Sequence, residues 1–432
     1  MITATVFAGK KFAVYGLARS GLASAAALVA SGAEVTAWDA KADARDRLCS
    51  SLGGKVGIAD LDRADLREFD SLVVTPGLPL NRHPIAERAR AAGLEIIGDI
   101  ELFARARPAL PPHKVVGITG TNGKSTTTAL IHHVLRNAGV PTMMGGNIGL
   151  PILAQDALRE GGVYVLELSS YQIDLTVSLD CDVAVLLNVT PDHLDRYADF
   201  DAYRASKMRL FDLQSPDHVA VFTAEDRLSS DAYRKRIEVA PHTSLIAIRG
   251  EALNQEHWPA LQGPHNAQNA AVAITVCKAL GLGEGEIELG LRSYPGLPHR
   301  MERVRERDGV LFVNDSKATN PTATAPALAA FDRIRWICGG LAKTDNLDEC
   351  AIGFGHVAKA YTIGEASELF ARLLSPHMGV AECGTLERAV GAAAAEAEAG
   401  DTVLLSPACA SFDQFRDFEE RGDQFKALVR AL

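Results

Sequence analysis

No run of the chain reaches about 18 consecutive apolar residues, the length a helix needs to cross a bilayer, so no membrane span is expected. The seven cysteines (49, 181, 277, 338, 350, 383 and 409) include no CxxC pair and are odd in number. This argues against a disulfide framework or a zinc site, and the thiols read as reduced and cytosolic. The opening Met1-Ile2-Thr3-Ala4 soon reaches Lys10-Lys11 and lacks the apolar core and cleavage pattern of a signal peptide, so a cytoplasmic location is expected. Positive charge is not in excess. Lys plus Arg number 44 against 54 Asp plus Glu, for a net charge of −10. That speaks against nucleic acid or an anionic membrane as partner. It leaves room for an anionic ligand held by a few local cations. No internal repeat stands out. What is present is ordinary for a soluble globular protein, with 47% hydrophobic and 23% charged residues. At 432 residues the chain is too long for one core, and two to four domains are expected.

The most informative stretch runs from 117 to 128, Gly-Ile-Thr-Gly-Thr-Asn-Gly-Lys-Ser-Thr-Thr-Thr. It follows the apolar Val115-Val116 and leads into Ala129-Leu130-Ile131 and Val134-Leu135, spaced as the buried face of a helix. A glycine-rich turn between strand and helix points backbone N–H groups at an anion, and the helix N-terminus adds partial positive charge. Lys124 can reach terminal phosphates, and the Ser125 hydroxyl suits Mg²⁺. The usual P-loop pattern asks for glycine where Ile118 stands, and the glycines here are Gly117, Gly120 and Gly123.

Three segments follow from strand and linker signals. In residues 1–107, Phe12–Tyr15 reads as a strand, Gly16-Leu17-Ala18-Arg19-Ser20-Gly21 as the turn, and the run to Ala30 as a helix. Val35–Trp38 reads as a second strand closing on Asp39. This is a βαβ opening like a dinucleotide fingerprint, with Ala18 in place of the glycine that lets backbone approach a pyrophosphate. Leu72-Val73-Val74-Thr75-Pro76-Gly77 is a further strand and turn. The proline-rich stretch 107–112 reads as a linker. In 108–296, strands at 115–118, 163–166 and 183–187 alternate with helices, which means a mostly parallel sheet. Residues 294–298, Tyr-Pro-Gly-Leu-Pro, mark a second boundary. In 297–432, strands at 310–313, 334–338, 360–363 and 403–405 alternate again, and the Ala/Glu run at 392–399 reads as a solvated helix. The expected fold is α/β in three domains. A Rossmann-like N-terminal domain precedes a central P-loop mononucleotide-binding domain, and a Rossmann-like C-terminal domain follows.

Polar loops follow many of these strands, and strand ends line the ligand crevice of open parallel sheets. Glu167 precedes Ser169 and Gln172. Asn188 leads to His193. Glu167 and His193 could bind a second Mg²⁺ beside one on Ser125, although Mg²⁺ prefers oxygen to imidazole. Lys207 by itself reads as a surface helix lysine. Asn266 and Asn269 offer amides for base or ribose contacts, and Arg300 at the second boundary can reach phosphates. Pro321 is placed to open a helix after the loop Asp315–Asn320. The loops Cys338–Lys343 and Ser406–Phe415 close two more strands.

Taken together, these motifs resemble the Mur ligases, the ATP-dependent amide-forming enzymes of peptidoglycan precursor synthesis. Residues 119–126, Thr-Gly-Thr-Asn-Gly-Lys-Ser-Thr, match that family's form of the P-loop. The motifs at 315–320 and 406–411 resemble its glutamate-adding branch. The resemblance covers all three segments. It implies that ATP phosphorylates the terminal carboxylate of UDP-N-acetylmuramoyl-L-alanine, and that the amine of D-glutamate attacks the acyl phosphate. It also implies that Gly120, Thr121, Asn122, Gly123, Lys124, Ser125 and Thr126 hold ATP together with Asn266, Asn269, Arg300, Asp315 and Lys317. Ser125 and Glu167 would bind one Mg²⁺, and His193 a second with a carbamylated Lys207. Lys124, Glu167, His193 and Lys207 are thus the expected catalytic residues. The UDP-substrate would meet Arg19, Ser20, Asp39, Lys41, Gly77, Asn147, Ser169, Gln172 and His193. Glutamate would meet Thr319, Lys343, Ser411 and Phe418. In this sequence Asp39-Ala40-Lys41 stands where the family can carry a hydroxyl residue and arginine. A monomer is expected.

Other classes explain less. A nicotinamide-dependent oxidoreductase would use residues 1–107 and leave the P-loop idle. A P-loop switch or transport ATPase would leave 1–107 and the loops at Lys343 and Ser411 without a role. Another amide ligase of the same family, such as one adding L-glutamate, would fit the same residues.

Overall fold

A computed structural model describes the chain except residues 193–194, 225–226, 240–243 and 249–252, and the side chains of 227, 239 and 244–248. Three α/β sheets carry it, as the alternation of apolar runs and helices predicts. The first contains β1 (Lys11–Tyr15), β2 (Glu34–Trp38), β3 (Gly57–Ile58), β4 (Ser71–Val74) and β5 (Ile96–Ile97), all parallel, in the order β3-β2-β1-β4-β5. The second contains β6 (His113–Thr119), β7 (Thr142–Gly146), β8 (Gly162–Glu167), β9 (Val183–Leu186), β10 (Val219–Thr223) and β11 (Ser244–Ile248). Its order is β11-β10-β9-β6-β8-β7, again all parallel. The third contains β12 (Glu302–Arg307), β13 (Val310–Asn314), β14 (Ile334–Gly339), β15 (Val357–Ile363), β16 (Gly379–Gly384) and β17 (Thr402–Leu405). Here the order is β12-β13-β17-β14-β15-β16, and only the β12–β13 pair is antiparallel.

The chain divides into two compact units. One is 1–252 with 268–291 and holds the first two sheets; the other is 253–267 with 292–432 and holds the third. The proline-rich stretch at 107–112 does not behave as a free tether. Arg107–Ala109 forms a short 3-10 turn, and the Arg107 guanidinium donates to the Asp180 carbonyl and sits 3.4 Å from the Asp182 carboxylate. Nearby, the buried Glu101 carboxylate accepts from the Val177 and Ser178 amides at 2.8 and 2.9 Å, and from the Ser178 hydroxyl. Buried polar groups are satisfied in this way across the join.

The central strands are apolar because both faces are covered. Val115, Val116 and Ile118 of β6 are fully buried, each contributing about 1.5–3 kcal/mol by the usual burial scale. The run at 392–399 is helical as far as Glu396 and largely solvated, with Ala395, Glu396, Glu398 and Ala399 exposed. The helix Leu386–Glu396 buries Ala389 and Val390, ahead of the run, and Ala393 within it, in the core of the third sheet.

Candidate active site

All strands of the second sheet are parallel, so its loops gather at one edge. Helix Lys124–Asn137 starts directly after the turn from β6. Two glycines make that turn possible. Gly123, the N-cap, has φ +84°, and a Cβ there would lie 2.6 Å from Asn269 Oδ1. Gly120 has φ +147°, and a Cβ would press on Leu187 at 2.9 Å. Ile118 lies earlier, inside β6, where a buried apolar side chain is what the sheet needs. The absent glycine therefore costs the loop nothing. The segment after β9 braces the turn. Asn188 Oδ1 accepts from the Asn122 amide at 2.8 Å, and Asn188 Nδ2 donates to the Asn122 carbonyl at 3.1 Å. The Thr121 hydroxyl meets the Thr190 amide at 3.0 Å and the Tyr203 hydroxyl at 3.2 Å. Thr127 Oγ1 donates to Asn269 Oδ1 at 3.1 Å, which brings Asn269 to the start of the same helix. Lys124 Nζ donates to the carbonyls of Gly120 and Thr121 at 2.9 and 2.8 Å.

Glu167, the last residue of β8, is buried. Its Oε1 accepts from Asn147 Nδ2 at 2.9 Å, while Oε2 is buried without a hydrogen-bond partner. An unpartnered buried carboxylate oxygen is costly unless a cation faces it. Ser125 lies in the first turn of the P-loop helix and is buried. A hydroxyl and a carboxylate form an oxygen donor set of the kind Mg²⁺ takes, so these residues fit the ion. Among the described residues no group of three or more His, Cys, Asp and Glu gathers as a metal cluster. His193 lies outside the described residues.

Lys207 overturns its reading as a surface lysine. It sits on the helix Phe200–Asp212 with only 2% of its surface exposed. Its Nζ donates to the Gly120 carbonyl at 2.8 Å and lies 4.5 Å from the Tyr203 ring centre. Burial first, and the Lys124 charge second, lower its amine to about 7.

The residues assigned to the UDP-substrate fall at the ends of β1, β2, β4, β7 and β8. Arg19 Nη2 donates to the Gly149 carbonyl at 2.7 Å, which sets helix Arg19–Ala30 against the loop of Asn147. Ser20 follows in that helix's first turn. Gly77 is exposed just after β4. Lys41 is exposed before the helix Ala42–Leu52. Besides Arg19 and Asn147, three more assigned side chains are engaged by the protein itself. Asp39 accepts from the Leu17 and Lys41 amides at 2.7 and 2.9 Å. Ser169 and Gln172 form a reciprocal capping box on the short helix Ser170–Asp174.

The second unit carries its own group of loops. Asp315 follows β13 and is buried; Oδ2 accepts from the Ser406 hydroxyl at 2.8 Å and Oδ1 from the Met301 amide at 3.1 Å. Burial pushes its carboxyl up to about 7 against these partners. Arg300 lies between two residues of positive φ, His299 and Met301. Lys317 Nζ lies 3.8 Å from the Phe418 ring centre, a cation–π pair joining one assigned ATP residue to one assigned glutamate residue. Lys343 Nζ meets Thr319 Oγ1 at 3.3 Å. Ser411 is buried. It caps no helix, because the helix Phe418–Ala431 takes Asp417 as its N-cap. The Leu341 and Ala410 backbones pair at 2.9 and 3.0 Å, which joins the Lys343 and Ser411 loops. Asn266 also belongs to this unit, with Nδ2 donating to the Gln262 carbonyl at 3.1 Å.

Two side chains that hold these loops were missed in the sequence. Asn188 clasps the P-loop as described. Arg421, fully buried, donates to Ser316 Oγ and to the carbonyls of Ser316, Cys409 and Ala410 at 2.9–3.3 Å. Beside Glu419 and Glu420 in the sequence, nothing in its local pattern marks it as inward-facing. The S-x-x-Q signal of a capping box at 169–172 was present in the sequence.

Three family descriptions match successive parts of the chain. They are the Mur ligase MurD-like, N-terminal domain over 10–98, the Mur ligase middle domain over 118–258, and the Mur ligase, glutamate ligase domain over 299–409. The chain is 59% identical to a protein of Novosphingobium aromaticivorans named UDP-N-acetylmuramoylalanine--D-glutamate ligase; the match covers 100% of this chain and 97% of that one. It is 55% identical to a protein of the same name from Zymomonas mobilis, with 100% of both covered. The MurF ligase of Thermotoga maritima, solved in complex with ADP, shares the fold with a TM-score of 0.62 at 17% identity, over 98% of this chain and 96% of that one. The chain belongs to the Mur ligase family.

Proposed function

We propose that this chain is an ATP-dependent amide ligase that joins D-glutamate to UDP-N-acetylmuramoyl-L-alanine. One observation carries the reading. An anion-binding P-loop stands in the same sheet as a buried carboxylate with a free oxygen, in a chain matched end to end by relatives bearing that ligase name. We assign 1–107 to the UDP-substrate, 108–296 to ATP, and 297–432 to glutamate and nucleotide.

A substrate carboxylate oxygen attacks the γ-phosphorus of ATP, and ADP leaves. The neutral amine of glutamate then attacks the acyl carbon. The tetrahedral intermediate expels phosphate, which carries one of the original carboxylate oxygens. Lys124 and the N–H groups of 123–126, at the start of its helix, face the charge that moves during the first step, and such preorganised donors lower the barrier. Asn266, Asn269, Arg300, Asp315 and Lys317 complete the ATP contacts. Mg²⁺, held by Ser125 and Glu167 and at a second site by His193 and a carbamylated Lys207, would supply further positive charge to the phosphate oxygens. Arg19, Ser20, Asp39, Lys41, Gly77, Asn147, Ser169 and Gln172 lie along the UDP-substrate, with Asp39, Ser169 and Gln172 contributing through the backbone they hold.

The test uses acceptor labelled with ¹⁸O in its carboxylate. One label must appear in the released phosphate. Unlabelled phosphate alongside amide product would rule out the acyl phosphate.

A further inference from the structure

The loop Pro76–Leu78 leaves β4 in a tight turn, with the Leu78 amide on the Thr75 carbonyl at 3.0 Å and the Leu80 amide on the Leu78 carbonyl at 2.9 Å. Gly77 has no side chain and is exposed, and Pro76 and Leu78 are only half-buried. A cavity of about 230 Å³, lined by Pro76, Leu78, Tyr171 and Arg196 among others, lies beside it. The loop's three carbonyls also share a cation from the second sheet's side. The Arg196 guanidinium donates to the carbonyls of Leu78, Gly77 and Pro76 at 2.8, 3.3 and 3.4 Å. Its other face covers the Tyr171 ring at 4.1 Å, and Tyr171 stacks on Tyr197 at 6.0 Å and 13°. Asn81 Nδ2 adds a tie to the Asp195 carbonyl at 3.0 Å. A planar group with several fixed donors suits three successive carbonyls in a way that a lysine does not.

We propose that Arg196 is a positioning residue for the UDP-substrate. It fixes the Pro76–Leu78 loop from the neighbouring sheet, and so sets where Gly77 meets that substrate. The inference rests on the reading of Gly77 as a UDP-substrate contact.

Arg196→Met keeps the stem on Tyr171 and removes the donors; Arg196→Lys restores a single charged donor. Arg196→Met should raise KM for UDP-N-acetylmuramoyl-L-alanine roughly tenfold, with KM for ATP and glutamate moving less than about twofold, and Arg196→Lys should fall between. Hydrogen exchange without any substrate gives a second readout. The 76–83 amides should exchange faster in Arg196→Met, while those at 115–128 stay as in the wild type. Unchanged exchange at 76–83 would overturn the clamp. Faster exchange with an unaltered acceptor KM would overturn the substrate role while leaving the ligase reading intact. Equal rises in all three KM values would mean a general structural effect and would also overturn it. A wild-type protein that does not turn over this nucleotide would sink the ligase reading itself, and faster exchange would not rescue the substrate role.

Discussion

Lys343 Nζ lies 3.3 Å from Thr319 Oγ1, although the two residues leave different strands of the third sheet, β14 and β13. The pair puts an ammonium and a hydroxyl together at one edge, with the Ser411 loop joined by the Leu341–Ala410 backbone pair. A dicarboxylate amino acid needs such donors. Lys343→Ala should raise KM for glutamate by about ten- to a hundredfold, the worth of one charged hydrogen bond, and leave KM for ATP nearly unchanged. Ser411→Ala should act in the same direction but less. Steady-state kinetics with each substrate varied in turn checks both. A uniform rise in every KM would remove glutamate from this edge.

The P-loop prediction concerns rate. Lys124→Ala should keep its fold, judged by circular dichroism and thermal unfolding, and lose roughly 10²–10³ in kcat. A folded variant with near-normal turnover would strip Lys124 of its phosphate role.

Lys207 is buried against the Gly120 carbonyl with its amine lowered to about 7. A larger neutral fraction near pH 7 favours reaction with carbon dioxide, so the side chain should be carbamylated. Protein equilibrated with ¹³C-labelled bicarbonate should show one carbamate NMR signal that Lys207→Ala lacks. That variant should be almost inactive and regain some turnover with added short carboxylates. No lysine carbamate signal in the active wild type would contradict the assignment.

Asp315 makes a prediction about stability. Burial raises its carboxyl from the ordinary 3.8 to about 7. Between those values the native state holds a proton that the unfolded chain has lost, so this group's contribution falls as pH rises through the window and levels off above it. Asp315→Asn, which stays neutral, should lose less stability than the wild type between about pH 5 and about pH 8 in urea unfolding. Parallel curves for the two proteins would show that Asp315 is already ionised in the fold.

Much of this architecture was readable because it rests on local apolar runs. Phe12–Tyr15, Val115–Ile118, Val163–Leu166 and Ile334–Cys338 all fall within strands. The glycines and prolines punctuated the loops at their ends. What escaped depends on long-range partners. β7 contains Met-Met-Gly-Gly and is a strand only because β8 pairs with it. β12, Glu-Arg-Val-Arg-Glu-Arg, is charged because it lies on a sheet edge, where charge blocks further pairing. Lys207 and Arg421 are charged residues on helices, and only packing decides that they point inward. The bonds Asp39 takes from the Leu17 and Lys41 amides likewise had no mark in the sequence.

The most direct measurement is a single incubation of the purified protein with ATP, Mg²⁺, UDP-N-acetylmuramoyl-L-alanine and either enantiomer of glutamate, followed by product mass and phosphate release. The account predicts one amide product and matching phosphate with D-glutamate, and neither when acceptor or glutamate is left out. Product with L-glutamate alone, or phosphate release that needs no acceptor, would contradict it.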